Sequence, residues 1–317
     1  MTSLHTTSLK PDSARTPSRQ AGPVPFSYRA LAVGLNAIGA LTPELSARIL
    51  QSLWFRPLHA RPSSRAQAFW RTAERRQSVI TRQSVLDVHF WGDAEAPLVV
   101  GVHGWRGSGV QFRHLVEPLV AAGYQVALFD LPAHGPHKTR FTHVFEFSQA
   151  LLDFQEQAGQ PTVVMAHSIG CQVVIQAMAQ GFQTQSLVCF APGINMGAMM
   201  QRFSESLGLT DRVSRRFIER VASYSRTISR QWVGTNQTLI ERLSHDFTRQ
   251  HLNGPGLLVA DDQDEEIDWQ DTVTLADYWQ EAETHYTSGL GHNRILKEAE
   301  VINAVLTFLD KQDFRLG

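Results

Sequence analysis

The apolar run Val163-Val164-Met165-Ala166 breaks off at His167-Ser168-Ile169-Gly170 and resumes as a helical pattern. A serine at the apex of a sharp strand-to-helix turn is held in strained backbone geometry with its hydroxyl exposed, the arrangement called a nucleophile elbow. Small residues are required two positions to either side, where strand and helix nearly touch, and Ala166 and Gly170 supply them. A serine hydroxyl is a poor nucleophile near neutral pH, so a base must take its proton as it attacks a carbonyl. His292 is the candidate base, because it follows Gly289-Leu290-Gly291 after the last expected strand; the plainer alternative is that it caps or packs the final helix. An acid must then hold the imidazole tautomer and stabilise the imidazolium. Asp261, Asp262, Asp264, Glu265, Glu266 and Asp268 crowd one loop after Leu257-Leu258-Val259-Ala260. Asp264 is the best candidate, with Asp261 and Asp262 as alternatives. Serine, acid, histidine is the chain order of a triad on a sheet of this kind.

These side chains need strand ends to carry them. From Ser84 onward strands alternate with helices, which implies βα units and a mostly parallel sheet. Strands are expected near Val85–Trp91, Leu98–Val102, Gln125–Phe129, Thr162–Ala166, Ser186–Phe190, Leu257–Ala260 and Thr284–Thr287. Helices are expected near Val110–Ala121, Phe145–Gln157, Ile169–Ala179, Trp269–Glu281 and Ile295–Asp310. Ligands of such sheets bind outside the carboxyl ends of the strands, where the motifs fall. Between Ala191-Pro192-Gly193 and Gly254-Pro255-Gly256 the alternation lapses into helical pattern, far longer than an ordinary connection. Asn195 to Asn253 is therefore expected to be a helical lid. Its apolar stripes, including Met199 and Phe203, are read first as packing and second as the lining of an apolar pocket.

Ahead of the sheet, residues 1–25 are rich in Thr, Ser, Pro and Arg without apolar periodicity and are expected to be disordered. Residues 26–83 are expected to form a helical extension: Ser27–Leu41, a second helix capped at Thr42 with Pro43 in its first turn and ending before Pro57, and a third over Ser63–Arg76. Residues 84–317 would then be the main domain.

Taken together, the motifs resemble the α/β-hydrolase superfamily from Ser84 to the end of the chain. Besides the elbow and the His292 loop, Val102-His103-Gly104-Trp105-Arg106-Gly107-Ser108-Gly109 matches its Gly-rich loop. Phe129-Asp130-Leu131-Pro132-Ala133-His134-Gly135 is similar to its Asp-x-Pro-Gly-His-Gly loop, with Ala133 at a usual glycine. The resemblance implies an α/β-hydrolase fold and two oxyanion donors, the backbone N–H groups of Trp105 and Ile169. It also implies an acid in a Gly-x-x-Asp-x-x-Val frame. Asp264 fits, with Asp261 at the glycine position and Ile267 as the apolar anchor. The motif wording is similar to that of a subgroup of bacterial hydrolases. The expected activity is a serine hydrolase working through a covalent acyl-enzyme on a small-molecule carboxylic ester or thioester with an apolar acyl part, without a cofactor. The alternatives are lactone, C–C bond or perhydrolase chemistry, or a non-catalytic binding protein on the same scaffold.

Composition narrows the setting. The 317 residues are 43% hydrophobic and 19% charged, those of an ordinary globular protein. The net charge of −1 conceals a basic front segment, since residues up to Arg82 include only Asp12, Glu44 and Glu74 as acids. The basic residues are dispersed and accompany no nucleic-acid-binding module, so no nucleic-acid partner is expected. His134, His137 and Asp130 lack a metal-binding spacing, and no metal is expected. Cys171 and Cys189 read as buried small hydrophobes in a reducing, cytoplasmic setting. The apolar run Ala30–Leu41 is too short to span a bilayer. It is read as a helix packed on the body, with a signal segment or a weak membrane-surface contact as alternatives; the oligomeric state is left open.

Overall fold

The structure, a computed structural model, describes residues 26–57, 63–135 and 141–314. The disorder expected for residues 1–25 lies outside the described residues. In chain order the elements are α1 (Phe26–Leu41), α2 (Pro43–Trp54), α3 (Ser64–Trp70), β1 (Arg75–Ile80), β2 (Val85–Trp91), β3 (Leu98–Val102), α4 (Arg113–Ala121), β4 (Gln125–Leu128), α5 (Val144–Ala158) and β5 (Val163–His167). There follow α6 (Ile169–Met178), β6 (Ser186–Phe190), α7 (Met196–Ser206), α8 (Asp211–Val233), α9 (Leu239–Arg242), α10 (His245–His251), β7 (Gly256–Asp261), α11 (Trp269–Tyr278), β8 (Ala282–Thr287), α12 (Gly291–Arg294) and α13 (Ala299–Gln312).

The strands form one sheet in the order β1-β2-β4-β3-β5-β6-β7-β8. β2 runs antiparallel to β1 and β4, and every pairing from β4 to β8 is parallel. This is an α/β-hydrolase fold. Side chains alternate across the pleat, so successive residues of β5 enter opposite cores. Val164 and Ala166 join α5, α6 and the helical insertion on one face, and Val163 and Met165 join α4 and α13 on the other. Burial on both faces explains why the parallel strands read as unbroken apolar runs.

Three expectations need correction. The third helix stops at Trp70 instead of Arg76, and Arg75–Ile80 is a strand, paired with β2 from Arg75↔Phe90 to Ile80↔Val85. The sheet therefore begins inside what was expected to be a helical extension over residues 26–83. As an edge strand β1 buries only Val79, so it shows no run of apolar residues, and its arginines suit an edge that must not recruit another strand. The final helix is also divided, into the single turn α12 and the longer α13, where one helix over Ile295–Asp310 was expected. Thr42 precedes α2 as expected, but its hydroxyl donates to the Ile38 carbonyl and does not cap the helix.

Helices α7 to α10 fill the long connection between β6 and β7. Buried polar contacts pin this insertion to α6: the Gln172 amide donates to the Ile194 carbonyl and the Thr248 hydroxyl, at 3.1 and 2.8 Å. Gln176 donates to the Arg242 carbonyl at 2.9 Å and accepts from its Nε at 2.7 Å. Buried polar groups are costly unless paired, so these four bonds fix where the insertion sits.

Candidate active site

Ser168 stands between β5 and α6 with φ 57° and ψ −129°, a left-handed conformation that a non-glycine residue adopts only under constraint. Its N–H donates to the Phe190 carbonyl at 2.9 Å, and its own carbonyl accepts from Cys171 and Gly193, both at 3.1 Å. The need for Gly170 comes from the neighbouring strand: a Cβ there would lie 2.5 Å from the Val102 carbonyl oxygen and 2.8 Å from that of His103. Ile169 N–H opens α6 and so has no intrahelical acceptor.

The loop after β3 lies against this turn, since a Cβ on Gly104 would approach the Ser168 Cβ to 2.8 Å. Two histidines and one aspartate shape the surroundings. His103 Nε2 accepts from Leu131 N–H at 2.9 Å, which leaves its Nδ1–H to donate to the Gly104 carbonyl at 2.8 Å. His134 Nε2 accepts from Arg106 N–H at 3.0 Å, and its Nδ1–H donates to the Pro132 carbonyl at 3.0 Å. Asp130 accepts from the Ser108 hydroxyl and Gly109 N–H, at 2.6 and 2.9 Å. Trp105 N–H takes part in none of these bonds. Both ring nitrogens of His134 are thus engaged within the loop pair, and His137 lies outside the described residues. Ala133, where the resembled motif has glycine, carries φ 61°, so the backbone keeps the glycine-like shape at the cost of strain.

His292 is almost fully buried, and its Nδ1 is 2.7 Å from Asp264 Oδ2. The other Asp264 oxygen accepts from Glu266 N–H and Ile267 N–H, at 2.8 and 2.9 Å, so this carboxylate is held from both sides. Burial pulls the His292 imidazole down, but the Asp264 bond and charge, with the Glu266 charge behind them, outweigh it and hold the imidazole above its ordinary value. Glu266 Oε2 lies 3.8 Å from His292 Nε2 on a side chain 64% exposed. The His292 carbonyl accepts from His167 Nε2–H at 2.9 Å, which ties the His292 loop to the residue preceding Ser168. Complete burial pushes His167 down to about 3, so it stays a neutral donor. Its Nδ1 is a buried acceptor without a partner among the described residues.

The family model described as serine aminopeptidase, S33, matches residues 93–257, which is 165 of the 317 residues. The chain belongs to this α/β-hydrolase family. A curated relative, the magnesium-chelatase 30 kDa subunit of Rhodobacter capsulatus, is 29% identical over 108 residues. That match takes in 32% of this chain and spans only 38% of the relative's length. Among solved structures, an esterase from Pyrococcus furiosus superposes with a TM-score of 0.59 at 16% identity, over 83% of this chain and 98% of that one. An esterase from a Rhodococcus species gives 0.55 at 15%, over 74% and 98%. A bromoperoxidase from Bacillus anthracis gives 0.54 at 16%, over 74% and 100%. Identities this low speak for the fold.

Both expected pocket residues, Met199 and Phe203, are partly buried and pack against the core on one side of α7. Phe203 packs edge-on against Trp54 of α2 and tilted against Phe217 of α8, with ring centroids at 5.1 and 5.8 Å, inside the helical cap. Met199 shares a helix face with Arg202, three residues on, whose guanidinium meets Asp268 at 2.5 Å. Arg202 thereby ties α7 to the end of the Asp264 loop. Two shallow cavities, of about 200 and 270 Å³, lie at the β1–β2 edge and between Tyr124 and Leu306, and neither includes a residue of this site. Sequence reasoning missed Glu266 as a neighbour of His292 and undervalued Asp261. Asp261 is fully buried and accepts from Thr287 Oγ1, Leu290 N–H and Gln263 N–H at 2.8, 2.9 and 3.0 Å, joining the ends of β7 and β8 to the His292 loop. Burial raises its carboxyl, and these bonds with one from Gly291 bring it below the ordinary range. The aspartate at the frame's usual glycine position was the available signal.

Proposed function

We propose that this protein is a serine hydrolase that cleaves a small-molecule carboxylic ester or thioester through a covalent acyl-enzyme. The observation that carries the reading is the 2.7 Å bond between Asp264 and His292 Nδ1, which leaves His292 Nε2 as the free basic nitrogen. In the proposed reaction Nε2 takes the Ser168 proton as Oγ bonds to the substrate carbonyl carbon. The carbonyl π pair moves to oxygen, where the N–H groups of Trp105 and Ile169 stabilise the oxyanion. Collapse expels the alkoxide or thiolate, which receives the proton from His292. Water, deprotonated by His292, then releases the acid and restores Ser168. Each step uses only groups of this chain and water. Helices α7 to α10 act as the lid, with Met199 lining the acyl side. The two free, buried cysteines are consistent with a reducing, cytoplasmic setting.

The test is labelling with a fluorophosphonate probe, located by peptide mass spectrometry, together with hydrolysis of p-nitrophenyl esters. Labelling at Ser168, and a kcat lowered by about 10⁴-fold or more in a folded Ser168→Ala variant, is the expected result. Retained labelling or turnover in that variant would refute the reading.

A further inference from the structure

Helix α1 is apolar on two sides and covered on one. Ala32, Leu35 and Gly39 are buried, with Gly39 set so closely on α8 that a Cβ would meet Val213 Cγ2. Asn36 fastens the same helix to the start of α8, donating to the Gly208 carbonyl and accepting from Thr210 N–H, both at 2.9 Å. The opposite side shows Val33, Ala37, Ala40 and Leu41 to solvent, and Leu45 of α2 is exposed as well. Val33 is 70% and Leu41 85% exposed, and no charged residue interrupts Ala30 to Leu41. A surface helix ordinarily carries a polar outer face.

Helix α8, which packs on the covered side of α1, is basic. α8 holds six arginines against Asp211 and Glu219, and Arg212 and Arg215, flanking the Val213 contact in sequence, are exposed. Glu44, the acid of α2, is already engaged by Arg48, Arg216 and Arg220. Residues 1–25, which precede α1, contain Lys10, Arg15 and Arg19 against Asp12. An exposed apolar helix face in a net-basic part of the chain matches a layer that is anionic at its surface and apolar just beneath it. The apolar run is too short to span a bilayer, and among the described residues no helix is long and apolar enough to cross one. A second copy fits poorly, because a two-fold contact would set one net-basic segment against its equivalent.

We infer that the exposed face of α1 docks on an anionic phospholipid membrane surface, the helix lying in the interface plane and the exposed Arg212 and Arg215 of the adjoining α8 adding positive charge. This inference is independent of the chemistry proposed for Ser168. Its test is flotation of the full chain with large unilamellar vesicles of phosphatidylcholine alone or with about one-third phosphatidylglycerol, at low and at 0.5 M salt, where exposed charges are screened. Binding at least about tenfold stronger to the anionic vesicles, and weakened by salt, is expected. The double variant Val33→Asp, Leu41→Asp should lose about tenfold or more of that binding while keeping its thermal midpoint and soluble-ester hydrolysis. Arg212→Gln with Arg215→Gln should reduce the preference for anionic vesicles several-fold. Absence of binding to anionic vesicles overturns the inference, as does equal binding by wild type and the Asp double variant. A dimer in light scattering that the double variant makes monomeric also overturns it, since a second copy would then cover the face.

Discussion

The carboxyl end of the sheet and the helical cap above it are built on different principles. At the sheet end, position after position is dictated by backbone: Ser168 sits at φ 57°, Gly170 faces two carbonyl oxygens, and His103, His134 and Asp130 spend their polar atoms holding loops. The cap, made of α1, α2 and α7 to α10, is held by apolar stripes and a few arginine ties such as Arg202–Asp268. The first region has one acceptable residue at many positions, because a collision or an unpaired buried group cannot be shared out. The second distributes its stabilisation over many exchangeable contacts. The proposed chemistry falls where tolerance is least.

The largest effects that could break this contrast are catalytic. Asp264→Asn should keep its bonds to Glu266 and Ile267 N–H yet lose the charge that orients His292, lowering kcat by about 10³- to 10⁴-fold with KM little changed. Asp262→Asn, on an exposed side chain, should leave both parameters within about twofold. Steady-state kinetics on the two folded variants decides it, and comparable rates would remove Asp264 from its role.

Next come paired stability changes. Gly170→Ala must displace the β3 backbone and should cost about 3 kcal/mol, a fall of roughly 6–12 °C in Tm. Gly34→Ala on α1, where an added Cβ meets nothing within 4 Å, should instead stabilise by at most about 1 kcal/mol. Calorimetry of both variants compares the regions, and a small loss at Gly170 would mean that the elbow has more room than its distances suggest.

The cap itself can be divided in the same way. Phe203→Ala, which removes a ring packed on Trp54 and Phe217, should cost about 2 kcal/mol and leave the order of preferred p-nitrophenyl acyl chains unchanged. Met199→Ala should cost less and change that order. If chain-length profiles move with Phe203 and stay with Met199, the roles given to these two side chains are reversed.

The smallest expected effect is on pH. A base acts only when unprotonated, so the raised His292 value places the acid limb of kcat/KM above the ordinary imidazole range. Glu266→Gln takes away a charge that favours the imidazolium, so the limb should move to lower pH and activity at mildly acidic pH should rise. The same shift contributes stability at low pH that is lost as pH rises through the raised value. A pH–rate profile unmoved by Glu266→Gln would mean that its carboxylate does not act on His292.

What the sequence by itself determined is local. The apolar runs, the small residues around Ser168, and the order of Ser168, Asp264 and His292 announced a parallel sheet with chemistry at its strand ends, because strand burial and elbow sterics act within a few residues. β1 was not legible, since an edge strand with one buried side chain leaves no periodic trace. Neither were the fully bonded Asp261, the carboxylate of Glu266 beside His292, or the commitment of Phe203 to Trp54 and Phe217. Each depends on partners dozens of residues away or more, or on which way a loop side chain turns, and only the closing of the sheet and the seating of the cap on α6 brings those partners together.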